Sequence, residues 1–210
     1  MASVYAQSAT NLGGSCSEFE QTVYINATGW NDPDPKKRGG AFQAGKGLGD
    51  GVCSALSAMY LGSRADWSVF KNAIVSPGGL AHIRGLQNLN IHAGNIGSFN
   101  FDNISQVYQD VMRLFGVSFS GQQRTAQNSE AAEGAIGMVR QDGLYYFSFW
   151  GPFGGHTVAL AKKGDAYKAF DPNFGDATLP DAAAFSRFVS WWIPSYYPGI
   201  NRWFVQRYFS

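Results

Sequence analysis

Cysteine and histidine are scarce in this chain, with two of the first and three of the second in 210 residues. That excludes a disulfide scaffold and a zinc site of the finger type, although one bridge between Cys16 and Cys53 stays open. Charge is scarce too. Lys and Arg number 16 against 15 Asp and Glu, a net charge of +1, which provides no field to hold nucleic acid or an anionic membrane surface. The one basic run, Lys36-Lys37-Arg38, sits among Pro and Gly and reads as a solvated loop. No stretch approaches the ~18 apolar residues that span a bilayer. The first twenty residues lack a basic start followed by an apolar run, so any export is expected to proceed without a removable signal peptide, with a cytoplasmic protein as the other expectation. No repeat of 20 to 50 residues is visible, which disfavours a solenoid or propeller.

What is present is apolar and aromatic: 45% hydrophobic residues, 15% of the chain aromatic, enough to bury a sizeable single core. The first fifty residues are rich in Gly, Ser, Asn, Pro and Asp and offer one strand-like stretch, 22–26. They predict a flexible arm or extended lead-in over 1–45, followed by one folded domain over 46–210. Leu56, Met59 and Tyr60 have helical spacing, with Cys53 in the opening turn. The helical pattern continues through Trp67, Phe70 and Ile74, then Leu80, Ile83 and Leu86, and then Ile104, Val107, Tyr108, Val111 and Phe115, with Asp102 as the N-cap. After a helix over 130–141 come apolar runs at 144–150, 156–161, 167–170 and 202–209, which read as strands. A helix marked by Phe185, Phe188, Val189 and Trp192 falls between the last two and should end before Pro194. The order predicts an α+β fold, helical first and antiparallel sheet second.

Gly40-Ala-Phe-Gln-Ala-Gly45-Lys46 imitates a phosphate-binding loop, but Gly47 stands where a magnesium-ligating Ser or Thr is required and no buried strand precedes it. The more informative feature is Cys53. Unpaired N–H groups and the dipole at a helix start lower a thiol pKa and favour the thiolate, although a free cysteine is on position alone more often a buried structural residue. A second group of residues changes the balance. His156 and Asp171 flank a hairpin turning within 162–165. A four-residue loop would set them directly opposite one another, and a two-residue Gly-Asp loop would set them on a diagonal of the same sheet face. Either way the carboxylate can fix the imidazole tautomer, and only an odd-length or bulged turn would break this. Taken singly, His156 is an ordinary strand histidine and Asp171-Pro172-Asn173 a turn. Jointly with Cys53 they follow the order of a Cys-His-Asp triad in a papain-type fold.

Three blocks, Gly51-Val-Cys53-Ser-Ala-Leu56-Ser57, His156-Thr-Val-Ala-Leu and Phe170-Asp171-Pro172-Asn173-Phe174-Gly175, resemble the motifs of YopT/AvrPphB-type cysteine peptidases. The resemblance covers roughly 51–175. It implies a papain-like fold, Cys53 as nucleophile, His156 as general base, Asp171 as its orienting partner, no metal or organic cofactor, and a bacterial effector that cleaves a protein of a target or host cell. A delivery chaperone or a cognate inhibitor is left open as a further partner. Papain-like enzymes usually supply an oxyanion donor from a Gln or Asn five to six residues before the cysteine, where this chain has Gly47 and Leu48; Gln43 is the nearest upstream amide. Two other readings stand beside this one: an amidase or acyltransferase using the same triad on a non-protein substrate, and a catalytically silent papain-like module that binds a partner. His82, His92 and Cys16 have no partner in sequence that points to chemistry. Asn26-Ala27-Thr28 fits a glycosylation sequon of little weight in a protein of bacterial type. Trp150, Trp191, Trp192 and Trp203 read as core, with Trp150 close enough to His156 to line a cleft.

Overall fold

The computed structural model describes residues 2–27, 52–83, 85–86, 101–152 and 154–209. Their framework is a seven-stranded, wholly antiparallel sheet: β1 (Ser15–Glu18), β2 (Ser118–Ala126), β3 (Gly143–Gly151), β4 (Gly154–Lys163), β5 (Ala166–Asp171), β6 (Gly175–Leu179) and β7 (Arg202–Phe209), in the order β1-β6-β5-β4-β3-β7-β2. Helices cover both faces. The helices α1 (Val4–Asn11), α2 (Gln21–Ala27), α3 (Cys53–Gly62), α4 (Trp67–Val75), α5 (Phe101–Leu114), α6 (Ala131–Met138) and α7 (Ala182–Tyr196) divide between two cores, α2 to α5 on one face and α1, α6 and α7 on the other. Burial on both sides explains why β3 is an almost unbroken apolar run. Leu144 and Tyr146 enter the first core, while Tyr145, Phe147 and Phe149 enter the second. Helix α3 is buried on all sides from Ser54 to Leu61, so it lacks the polar stripe of a surface helix.

Several expectations need correction. Over residues 2–27 the expected arm is folded structure: Tyr5, fully buried, donates its hydroxyl to Ala169 O at 2.7 Å, and β1 forms the sheet edge beside β6. The stretch 22–26 is helical, as part of α2; its β-branched and aromatic residues favour a strand intrinsically, but burying Tyr24 and Ile25 against the first core overrides that preference. Asp102 lies within the first turn of α5 and not at its cap. Helix α7 runs through Pro194 instead of stopping before it. The carbonyl that loses its helical partner there belongs to Ser190, an exposed residue. Strands β1, β2 and β6 gave no readable pattern. β2 is a largely exposed edge strand with an irregularity between Phe119 and Gln123, so little alternation is imposed on it. Cys16 and Cys53 are both free thiols.

Candidate active site

The β4–β5 turn is the two-residue Gly164-Asp165 loop, closed by the pair Lys163↔Ala166, with Gly164 at φ 60° as the first position of a II′ turn requires. From that register, through Ala159↔Phe170, Asp171 falls diagonal to His156 on the face covered by α7. The shorter of the two hairpin forms is therefore the one found. His156 Nε2 lies 2.9 Å from Asp171 Oδ1. The carboxylate is fully buried and takes three more donors: the Asn173 N–H at 2.9 Å on Oδ1, and Trp192 Nε1 at 3.1 Å and the Tyr197 hydroxyl at 2.7 Å on Oδ2. Four donors fix its plane, and the imidazole follows. The Tyr197 ring stacks on the imidazole, with centroids 4.6 Å apart and planes 19° apart, and Phe149 closes against both rings.

Cys53 is the first residue of α3, which lies on the opposite face and brings its N-terminus to the same end of the sheet. Polar contacts inside an otherwise apolar packing set its position: Ser57 donates to Thr157 O at 3.0 Å, and the Ser54 hydroxyl meets those of Tyr108 and Tyr146. The residue before the cysteine, Val52, gives its N–H to Gln21 Oε1 at 2.9 Å. The N–H groups of the first helical turn have no intrahelical acceptor and carry the positive end of the helix dipole.

The electrostatics follow from this arrangement. Burial disfavours a charged His156, but the charges of Asp171 and Cys53 and hydrogen bonds to both outweigh it, and the imidazole is pushed up to about 10. Burial likewise pushes the Cys53 thiol up and the Asp171 charge adds to that, yet the charge and hydrogen bond of His156 and the Thr157 N–H hold it below its ordinary value. The site thus favours a thiolate–imidazolium pair. Since Nε2 is committed to Asp171, Nδ1 is the ring nitrogen left for the sulfur. Cys16 behaves oppositely: half-buried on β1 next to Asp176 and Glu18, its thiol is pushed up to about 12 by burial and by those carboxylates.

Cys53, His156 and Asp171 are brought together; Gln43 lies outside the described residues, as do the loop 40–46, the basic run 36–38 and His92. His82 is exposed in the helical stretch 77–83 and meets Phe115 edge-on. Trp150 lies over Gly155, next to His156, and stacks on Phe204. Sequence reasoning missed four contributors. Trp192 read as core, Tyr197 lies beyond the expected end of its helix, the Thr157 N–H has no side-chain signature, and Gln21 stood in what looked like an arm. Among the described residues no group of three His, Cys, Asp or Glu side chains is placed to hold a metal ion, and no helix is long and apolar enough to cross a membrane.

The sequence model of the Peptidase C58 family, described as Yersinia/Haemophilus virulence surface antigen, matches residues 5–197. Among solved structures, the chain is similar to the Pseudomonas avirulence protein AvrPphB, with a TM-score of 0.61 and 17% identity over 76% of this chain and 92% of that one. It is also similar to PatoxP, a cysteine protease-like domain of the Photorhabdus asymbiotica toxin PaTox, with a TM-score of 0.46, 14% identity, and 97% and 56% of the two chains covered. A third is the YopT domain of the Pasteurella multocida PfhB2 toxin, with a TM-score of 0.29, 16% identity and 90% of each chain covered. No curated protein sequence matches. The architecture, a buried helix against an antiparallel sheet, is papain-like.

Proposed function

The chain belongs to the Yersinia/Haemophilus virulence surface antigen family of cysteine peptidases, and from that premise we propose that it is a thiol protease in which Cys53 is the nucleophile, His156 the general base and Asp171 its orienting partner. The reading rests above all on one observation: the imidazole that bonds Asp171 at 2.9 Å through Nε2 also faces the sulfur at the start of α3. The thiolate attacks the scissile carbonyl carbon, and the oxyanion forms beside the Cys53 N–H, a first-turn donor without an intrahelical partner. The proton held on His156 Nδ1 passes to the leaving amine as the C–N bond breaks, leaving a thioester. Water then gives a proton back to His156 and its hydroxyl to the acyl carbon, and as the C–S bond breaks the sulfur leaves as the thiolate, restoring the thiolate–imidazolium pair. Asp171 holds the ring in the Nε2–H tautomer throughout. The substrate in this reading is a protein of a target cell, as expected for an effector of this family, and the chain needs no metal or organic cofactor for the cycle.

The test is to incubate the purified chain and its Cys53→Ala variant with a eukaryotic cell lysate and to map new protein N-termini by mass spectrometry. New termini that depend on Cys53 are expected. A wild-type chain that labels at Cys53 with an epoxide thiol inhibitor but yields no new termini, and instead releases amide or acyl products from cell-wall fragments, would replace protease by amidase or acyltransferase. Absence of both labelling and products would leave the silent binding module.

A further inference from the structure

The hydrogen bonds around the Asp171 carboxylate continue beyond it. The Tyr197 hydroxyl that donates to Asp171 Oδ2 at 2.7 Å accepts from Asn173 Nδ2 at 3.1 Å. Asn173 Oδ1 accepts from Gln21 Nε2 at 2.5 Å, and Gln21 Oε1 accepts from the Val52 N–H at 2.9 Å. Val52 is bonded to Cys53. An unbroken chain of four hydrogen bonds therefore runs from the carboxylate to the residue before the sulfur, through three side chains from three separate parts of the sequence. Its polarity is fixed at both ends, because an ionised carboxylate only accepts and a backbone N–H only donates. Each amide in between has one orientation that satisfies both neighbours, and bonds aligned in one direction reinforce one another. Gln21 is the central link. It is buried, with 5% exposure, and its backbone N–H also donates to Pro172 O at 2.7 Å, so side chain and main chain both grip the turn that carries Asn173.

We infer that Gln21 is a positioning residue of the candidate active site: it holds the start of α3, and with it Cys53, in register with the Asp171–Asn173 turn that orients His156. This rests on the protease reading above. The physical reason for such a strut is that α3 and the α7-covered residues lie on opposite faces of the sheet. The sulfur and the imidazole therefore meet only if two separately packed layers keep their relative position, and an error of ~1 Å between reacting groups costs on the order of 100-fold. A purely structural glutamine would stabilise the fold without altering the thiolate.

The readout is the second-order rate of iodoacetamide alkylation at Cys53, localised by mass spectrometry, against pH. Gln21→Met removes both side-chain bonds at similar volume, and Asn173→Ala removes the next link at a half-buried position. Each is expected to lower the rate at pH 6 by roughly tenfold while staying within about threefold of the unsubstituted protein at pH 9.5, where a free thiol is ionised in any case. The double variant should lose no more than either single one, because links of one chain are not additive. A folded Gln21→Met protein whose pH 6 rate stays within about twofold of the unsubstituted protein, or losses that add in the double variant, would overturn the inference. If Gln21→Met fails to fold by circular dichroism, the Asn173→Ala rate at pH 6 decides alone. Failure of the underlying reading looks different: the unsubstituted protein would itself alkylate only above pH 8, and both ideas would fall together.

Discussion

Replacing His156 with Ala should separate the ordinary thiol of Cys53 from the activated one. With the ring in place, its positive charge and hydrogen bond hold the sulfur ionised below the usual range. Without it, a thiol near ~8.5 is only about 0.3% ionised at pH 6, so the thiolate population falls by up to ~300-fold. Part of that returns as reactivity, since a more basic thiolate is a better nucleophile by about threefold per pKa unit. The helix start and the Thr157 N–H also remain to favour the anion. The net expectation is a fall of ~10-fold or more in iodoacetamide rate at pH 6, with the variant equal to or faster than the parent at pH 9.5. The parent profile should be flat from pH 6 to 9, because an imidazole raised to about 10 stays charged across that range. The sign of the stability linkage agrees. A histidine raised above its unfolded value of ~6.5 contributes stability that is fully present below that value and is lost as pH rises through about 10. Thermal melts of both proteins, followed from pH 6 to 10.5, would reveal it as a difference that narrows at the alkaline end. A variant that alkylates at pH 6 within about twofold of the parent would refute the pairing.

Cys53→Ala should abolish hydrolysis with little change in melting temperature, and should lower the His156 titration midpoint from about 10, read by NMR, because the neighbouring thiolate charge is removed. Asp171→Asn should leave a residual hydrolysis rate, while costing ~1–3 kcal/mol of stability in denaturant melts, because a single amide oxygen is left to face four donors. Gly175→Ala should loosen the β1 edge, read as faster amide exchange over residues 15–18. Its φ of 124° disfavours any side chain at a cost of ~1–3 kcal/mol, and the added Cβ would stand 2.1 Å from Ser17 O.

Much of the layout was legible because it is local. Helices α3, α4 and α5 announce themselves by apolar spacing, strands β3, β4, β5 and β7 by apolar runs, and either even-length turn in the short β4–β5 connection puts His156 and Asp171 on one face, which only an odd-length or bulged turn would have prevented. The elements that escaped have no strong period of their own. β2 is an exposed edge, β1 is four residues long, and α2 is made of residues that would suit a strand had the first core not taken Tyr24 and Ile25.

Residue types and spacing alone thus determined the α+β class, a cysteine at a helix start, and a histidine and carboxylate within reach of one another, because each depends on a few consecutive residues and on the period of one element. Only the tertiary structure decided what surrounds them. That Trp192, Tyr197 and Asn173 all point donors at Asp171 or at each other depends on how α7 docks on the sheet. The pairing of Gln21 with Val52, thirty-one residues away, depends on the tertiary fold bringing the start of α2 to the start of α3. The opposite fates of the two thiols have the same origin: the side chains are the same, and their ionisation differs because folding sets Cys16 beside carboxylates and Cys53 beside an imidazole and a backbone N–H. Charge proximity across the chain is a property of packing, and no local pattern encodes it.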